Sequence, residues 1–188
     1  MRQRTVYVIV GSVRHKRLCP DIAGWVAETG RGIETHTSFE VVDLRDWPLP
    51  MDDEPGIPAF GDYASEVTRK WSAKIAQADA FIFVTPQYNW GYPAALKNAI
   101  DHLYAEWRDK PAMIVSYGGH GGGKCAAQLQ QVLTGIKMRV VPEMPALVLE
   151  KSVIEENAGR IDAAAYFGDR RNEIRQAIAA MLGLIRQC

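Results

Sequence analysis

The chain has 188 residues, of which 47% are hydrophobic and 23% charged, a balance typical of one soluble globular domain spanning residues 1–188. Its 22 basic and 22 acidic residues give a formal net charge of zero, which argues against a general binder of nucleic acids or anionic membranes. No apolar run approaches the roughly 20 residues of a membrane-spanning helix, and the apolar run near the N-terminus is too short for a signal peptide.

The first half of the chain begins with five β-forming residues at 6–10, which predict a buried strand. A helix is expected from Pro20, and an alternating pattern at 38–44 predicts a second strand. Residues 45–62 hold four of the ten prolines, and irregular loops of this length in a compact domain are usually functional. Residues 63–78 then predict a helix with apolar residues one turn apart.

The middle of the chain starts with a predicted strand at 81–85, whose continuous apolar run at 81–84 is typical of a parallel strand covered on both faces. A polar, aromatic turn at 86–91 separates this strand from a helix opened by a proline. Apolar residues recur at every third or fourth position, so the helix is predicted to cover 93–107.

The last part of the chain contains a predicted strand at 112–116, a glycine-rich loop at 117–124 and a helix. Residues 139–149 predict a final strand, interrupted near its two prolines. Residues 150–168 are interpreted as surface loop, and an amphipathic helix ends the sequence.

Strands alternate with helices along this sequence, which predicts a parallel sheet covered by helices on both faces. Five strands suit the doubly wound order 2-1-3-4-5, a three-layer α/β/α flavodoxin-like fold. In this fold the loops at 11–19, 86–91 and 117–124 meet at the carboxyl edge of the sheet, where open α/β sheets bind ligands.

The loop at 11–19 combines Ser12 with the basic residues Arg14 and Arg17 directly before a helix. The unpaired N–H groups and partial positive charge of a helix N-terminus favour a phosphate, and hydroxyl and guanidinium groups add donors. Solvated basic turns that bind nothing have the same composition, so this loop alone leaves both interpretations open.

The turn PQYNWGY has the residue types that suit a planar heterocycle. Tyr88 and Trp90 offer aromatic faces. Gln87 and Asn89 offer donors and acceptors along an edge. Packing at a protein interface explains Trp90 and Tyr92 equally well.

Two nucleotide-binding motifs are incomplete in this chain. After the first strand, Gly11 is not followed by the second and third glycines of GxGxxG. Gly118, Gly123 and Lys124 match GxxxxGK, but a cysteine follows where a serine or threonine would hold magnesium. Glycines in this loop instead allow the backbone to approach a flat ligand closely.

The segments GSVRHKR, TPQYNWGYPAALKNAIDHLYAEWRDKP and VSYGGHGGGK together resemble the NADPH-dependent FMN reductase family of flavodoxin-like flavoproteins. Members typically carry GSxRxxR, then P-x-Y-N-x-G-x-P-x-x-L-K-N-A-I-D, then SYGG-x-GG, in this order. The resemblance implies that NADPH or NADH passes hydride to bound FMN, and that a quinone, an azo compound or a similar small electrophile then accepts it.

The resemblance also implies which residues contact the cofactor. The phosphate would lie on the first loop, and the ring system between the second and third. The implied FMN contacts are Ser12, Arg14, Arg17, Leu18, Cys19, Pro86, Gln87, Tyr88, Asn89, Ser116, Tyr117, Gly118 and Gly119. No acid–base dyad or metal is expected. Tyr117 and His120 are candidate substrate contacts, although an exposed loop position is favoured for His120 because nothing nearby in sequence orients it.

The sequence also leads to expectations about assembly, location and alternative functions. The resemblance implies a homodimer or tetramer formed through the helix at 93–107. The three cysteines, Cys19, Cys125 and Cys188, lack the spacing of a metal site, which favours a reduced, cytoplasmic protein. An electron carrier and a cofactor-free interaction domain remain alternatives, but carriers are usually strongly acidic and this chain is neutral.

Overall fold

The computed structural model of the chain describes residues 3–51 and 54–185, so Cys188 lies outside the described residues. The strands are Arg4–Val10 (β1), Thr37–Asp43 (β2), Ala80–Pro86 (β3), Pro111–Gly118 (β4), Arg139–Val140 (β5) and Ala146–Val148 (β6). The α-helices are Cys19–Arg31 (α1), Glu66–Ala76 (α2), Ala94–Asp101 (α3), Gly123–Gly135 (α4), Lys151–Glu156 (α5), Ala163–Tyr166 (α6) and Arg171–Ile185 (α7). None of the helices in the described ranges is long and apolar enough to cross a bilayer.

The sheet has the predicted order, β2-β1-β3-β4-β5, and every strand pair in it is parallel. The interruption of the last strand is also confirmed, because β5 and β6 both pair with β4. Pro111 lies opposite Arg139 and Ser116 opposite Ala146, so the two short strands extend the same edge.

Helices cover both faces of the sheet, which confirms the three-layer arrangement. Val6, Val8 and Val10 of β1 pack with α1, α6 and α7, whereas Tyr7 and Ile9 pack with α2, α3 and α4. This alternation follows from the two-residue period of a strand, which turns successive side chains to opposite faces. Because both faces are buried, the central strands are continuously apolar.

The predicted helix at 93–107 is wrong in its second half, because α3 ends at Asp101 and turns lead from there into β4. Leu103 and Trp107 keep the helical spacing but reach the core from these turns, at 2% and 1% exposure. The indole N–H of Trp107 donates to the carbonyl oxygen of Ile100 (3.1 Å), which also accepts from the backbone N–H of Leu103. The packing of Leu103 and Trp107 in the core therefore sets the backbone after Asp101, where the sequence pattern predicts further helical turns.

Residues 150–168 are not simply a loop. They contain α5, the four-residue helix α6 and the start of a 3₁₀ turn at Gly168–Arg170. The side chain of Asp162 caps α6 by accepting from the N–H of Ala165, a local signal at a helix N-terminus.

The proline-rich segment after β2 is fastened to α2 and α3. Asn98 donates its amide N–H to the carbonyl oxygen of Leu49 (3.1 Å), and His102 Nε2 lies 2.8 Å from the carbonyl oxygen of Pro50. Trp47 packs on Trp71 with ring centroids 5.0 Å apart. The start of this loop is therefore ordered by side chains from two helices.

Truncation of Trp107 to alanine should lower the free energy of unfolding by about 3–5 kcal/mol, as for other buried aromatic residues. Its ring lies among Phe81, Phe83 and Trp71, with the Phe81 centroid 4.9 Å away. Phe60→Ala is the matched control, because Phe60 is 79% exposed and its loss should change stability by less than about 0.5 kcal/mol. Chemical denaturation followed by circular dichroism measures both, and equal effects would contradict the assignment of Trp107 to the core.

Candidate active site

The ends of β1, β3 and β4 bring the three predicted loops together. Val10 lies opposite Val84, and Pro86 lies opposite Tyr117, so the three strands release the chain at the same edge of the sheet. A cavity of about 220 Å³ lies between the loops. Its lining residues are Arg14, Lys16, Arg17, Leu18, Pro86, Gln87, Tyr88, Tyr117, Gly118, Gly119, Leu149, Val153, Ile154 and Asn157.

Hydrogen bonds join each of these loops to the next. The hydroxyl oxygens of Ser12 and Tyr88 are 2.7 Å apart, which links the first loop to the second. The backbone N–H of Gln87 donates to the carbonyl oxygen of Tyr117 (3.1 Å), and its side-chain oxygen accepts from the N–H of Cys125 (3.3 Å). The cavity walls are therefore held in place by bonds between the loops themselves.

Backbone donors line the first loop. Within the described part of the chain, the N–H groups of residues 15–18 have no hydrogen-bond acceptor. They directly precede α1, whose N-terminus adds a partial positive charge. The guanidinium carbon of Arg14 lies 3.5 Å from the centre of the Tyr88 ring, and Arg14 is exposed at the cavity mouth. This combination of free N–H groups and a cation suits an anion.

Arg17 is arranged differently from Arg14. Its two terminal nitrogens pair with the two carboxylate oxygens of Asp43 at the end of β2, with Nη1 at 2.9 Å from Oδ1. Nη1 also donates to the carbonyl oxygen of Ser12, and the Arg17 side chain is only 8% exposed. The guanidinium group therefore fastens the first loop to β2, and only part of Arg17 borders the cavity.

The glycine-rich loop closes the cavity on the far side. Gly121 and Gly122 have φ angles of +75° and +80°, which side chains rarely adopt. A Cβ atom on Gly122 would lie 2.9 Å from Cβ of Ser116 and 3.0 Å from the backbone nitrogen of Tyr117. The Ser116 hydroxyl donates to the carbonyl oxygen of Gly121 (2.8 Å), so this serine holds the loop against β4.

The aromatic turn between β3 and α3 is a two-residue hairpin turn. Tyr88 and Gly91 exchange two backbone hydrogen bonds of 2.8 and 3.0 Å. The two residues between them, Asn89 and Trp90, have φ angles of +46° and +77°, the pattern of a type I′ turn. Both side chains are exposed, with Trp90 at 62%.

Nine of the thirteen residues implied by the resemblance line the cavity, namely Arg14, Arg17, Leu18, Pro86, Gln87, Tyr88, Tyr117, Gly118 and Gly119. Ser12, Cys19 and Ser116 are fully buried and support the loops from below, and the Cys19 thiol donates to the carbonyl oxygen of Val84 (3.2 Å). Asn89 points to solvent from the turn. His120 lies in a neighbouring recess beside Trp90.

One wall of the cavity was missed by sequence reasoning. Val153 and Ile154 come from α5, inside the segment interpreted as surface loop, and Leu149 directly follows β6, at the end of the predicted last strand. Cδ1 of Ile154 lies close enough to Gly119 that a Cβ there would be 3.3 Å away. The signal in the sequence was two adjacent apolar residues within a charged stretch, which was too short to recognise as a helix.

Burial also sets the protonation of two groups near the cavity floor. It raises the pKa of the Tyr117 phenol well above its usual value, and the neighbouring Cys19 acts in the same direction. Burial likewise raises the pKa of the Cys19 thiol to about 11. Tyr117 therefore keeps its proton at neutral pH, and Cys19 is an unreactive thiol rather than a nucleophile.

Replacement of Gly122 by alanine should destabilise the fold by about 1–3 kcal/mol, because the added methyl group meets β4 at a positive φ. Gly123→Ala is the control, since no atom lies within 4 Å of the added carbon. It should change stability by no more than about 1 kcal/mol, and in the stabilising direction. Thermal melts of the two variants test the difference, and a tolerated Gly122→Ala would contradict the loop conformation.

Comparison with known proteins agrees with this geometry. Residues 4–150 match the model of the family described as NADPH-dependent FMN reductase. The NAD(P)H-dependent FMN reductase C4B3.06c of Schizosaccharomyces pombe is 57% identical over 174 residues, covering 92% of this chain and 86% of the relative. The probable NADPH:quinone oxidoreductase 1 of Oryza sativa is 32% identical, covering 94% and 89%.

A solved structure gives the same fold. The flavoenzyme NAD(P)H:(acceptor) oxidoreductase FerB of Paracoccus denitrificans superimposes with a TM-score of 0.71 at 22% identity, covering 96% of this chain and 98% of FerB. The matched family segment begins with β1 and ends just after β6, so it contains all three loops around the cavity. The chain therefore belongs to the NADPH-dependent FMN reductase family and is a flavodoxin-like oxidoreductase that uses FMN and NAD(P)H.

Proposed function

We propose that residues 1–188 form a single FMN-binding domain, and that FMN binds in the cavity at the carboxyl edge of the sheet. The observation that carries this proposal is the meeting of three loops of different chemistry around one cavity. One loop presents backbone donors, one presents aromatic and amide side chains, and one presents glycine backbone.

The first loop suits the phosphate of FMN. The free N–H groups of residues 15–18 and the N-terminus of α1 favour a dianion, and Arg14 adds a cation at the cavity mouth. Arg17 contributes indirectly, because its bonds to Asp43 and to the carbonyl oxygen of Ser12 fix the loop that carries these donors.

The other two loops suit the ring system. Gln87 and Tyr88 form one wall, and Gly118 and Gly119 let backbone approach a flat ring from the other. Val153 and Ile154 of α5 form an apolar wall, which would exclude water from the ring.

Bound FMN supplies the redox chemistry, since it can take hydride from NAD(P)H and pass reducing equivalents to an acceptor. The residues of this chain bind and orient the reactants, and Tyr117 keeps a phenolic proton at the cavity floor. The acceptor that we propose is a small quinone, azo compound or similar electrophile. The naming of a relative as a quinone oxidoreductase supports this class.

Assembly and location remain predictions. The apolar side chains of the 93–107 segment lie in this chain's own core, so they do not by themselves indicate a homodimer or tetramer. We retain the prediction of a homodimer or tetramer through this segment, which would use the exposed side of α3, and light scattering of the purified protein tests the oligomeric state. A cytoplasmic location fits the buried, protonated thiols of Cys19 and Cys125.

The decisive experiment is an absorbance spectrum of the purified protein with FMN, before and after NADPH is added without oxygen. We expect a bound flavin spectrum that is bleached by NADPH and restored by a small quinone, without any partner protein. Protein that does not retain added FMN would contradict the proposal. Bleaching without turnover on small acceptors would instead indicate an electron carrier.

The different arrangements of the two arginines predict different phenotypes. Arg14→Ala should weaken FMN binding about tenfold, the effect of losing one charge-assisted contact, without loss of stability. Arg17→Ala should lower the free energy of unfolding by about 1–3 kcal/mol, because the carbonyl oxygen of Ser12 loses the Arg17 donor and Asp43 keeps, among the described residues, only the N–H of Arg45. Fluorescence titration with FMN and denaturant melts measure both, and identical profiles would contradict the distinction.

A further inference from the structure

A second recess lies beside the proposed FMN cavity. It has a volume of about 330 Å³, and its lining residues are Gln87, Trp90, His120, Gly123 and Lys124. Gln87 borders both spaces, so the recess adjoins the cavity. No residue of the first loop borders this recess, which places it away from the proposed phosphate site of FMN.

Trp90 occupies the recess under backbone strain. It takes the second position of a type I′ turn at φ +77°, a position where glycine is strongly preferred. Its side chain is 62% exposed, so packing within this chain does not compensate for the strain. Large side chains held in such conformations are concentrated at ligand-binding sites, where the surroundings dictate their position.

Polar groups on the opposite side of the recess are free to bind a ligand. The side chains of Lys124 and His120 are exposed, and neither side chain forms a hydrogen bond or an ion pair with any residue in 3–51 or 54–185. Lys124 Nζ lies 5.4 Å from the centre of the Trp90 ring. The N–H groups of Gly123 and Lys124, which begin the 13-residue helix α4, also lack an acceptor there.

An aromatic face, an unpaired ammonium group and a helix N-terminus within one recess are suited to a flat ring that carries a phosphate. The adenosine end of a nicotinamide dinucleotide is such a ring, and a pyrophosphate joins it to the nicotinamide that stacks on the flavin. Only NADPH carries an additional phosphate on that adenosine, at the ribose 2′ position.

We propose that this recess is the subsite for the 2′-phosphoadenosine end of NADPH, with Trp90 stacking on adenine and Lys124 contacting the 2′-phosphate. The proposal rests on the function proposed above and adds the residues that select NADPH over NADH. His120 lines the same recess and offers a further hydrogen-bond donor.

The test compares steady-state kinetics of the FMN-loaded protein with NADPH and with NADH, using one small quinone as acceptor. Lys124→Ala should raise KM for NADPH about tenfold and leave KM for NADH unchanged, because NADH lacks the contacted phosphate. Lys70→Ala is the matched control, since Lys70 is an exposed lysine on α2 that pairs with Glu66. It should change neither constant.

Trp90→Gly separates binding from folding. Glycine relieves the positive φ, so the variant should melt no lower than the wild type. Loss of the aromatic face should still raise KM for both nucleotides about fivefold or more, because adenine is common to both. An unchanged KM for both nucleotides would overturn the role of Trp90.

A binding measurement gives a readout that does not depend on turnover. Calorimetry should show that 2′,5′-ADP binds the FMN-loaded protein about tenfold more tightly than 5′-AMP, and that Lys124→Ala removes the difference. Equal binding of the two fragments would contradict the proposed subsite but not the proposed function. An equal rise in KM for both nucleotides in Lys124→Ala would do the same. Failure of wild-type protein to oxidise either nucleotide would instead overturn the proposed function.

Discussion

The parallel register of β1, β3 and β4 is the constraint on which the rest of the site depends. Val10 is aligned with Val84, and Thr85 with Ser116, so the three strands end within three residues of one another. Polar and glycine-rich sequence follows each strand at once, and it is therefore delivered to one edge. The bonds from Ser12 to Tyr88 and from Gln87 to Tyr117 then convert three separate loops into one wall. A slip of one residue in either pairing would turn every core side chain of that strand to the wrong face, which is why the register is so strongly specified.

The site divides its residues between holding the loops and facing the ligand. Ser12, Ser116 and Arg17 have the donors expected of a phosphate or ring contact, yet all three are bonded to other protein groups. Ser12 is bonded to the Tyr88 hydroxyl, Ser116 to the carbonyl oxygen of Gly121, and Arg17 to Asp43 and the carbonyl oxygen of Ser12. Within the described residues, the N–H groups of residues 15–18 have no acceptor, and the exposed guanidinium of Arg14 lies over the Tyr88 ring at the cavity. Such a division produces a cavity whose shape exists before a ligand arrives, so that less ordering is needed on binding.

Most of the fold and about two thirds of the cavity could be predicted from the sequence, because both depend on local patterns. Continuous apolar runs predicted the strands, and three motifs predicted the loops that border the cavity. The end of α3 could not be predicted, since Leu103 and Trp107 keep helical spacing while tertiary contacts set the backbone. The pairing of Arg17 with Asp43 joins residues 26 positions apart, and no local pattern announces it. The α5 wall was missed for a related reason: a six-residue helix is too short for its periodicity to be detected.

The position of α3 has a consequence for the proline-rich loop. This helix of eight residues begins four positions after Trp90, and near its end Asn98 and His102 hold the carbonyl oxygens of Leu49 and Pro50. The helix is about 12 Å long and bends little over that distance. It acts as a stiff spacer, so the start of the proline-rich loop keeps a set distance from the aromatic hairpin even though the loop emerges from β2, at the edge of the sheet. Substitutions in the hairpin that tilt α3 would thus also move the start of the proline-rich loop, although the loop and the hairpin are connected to different strands.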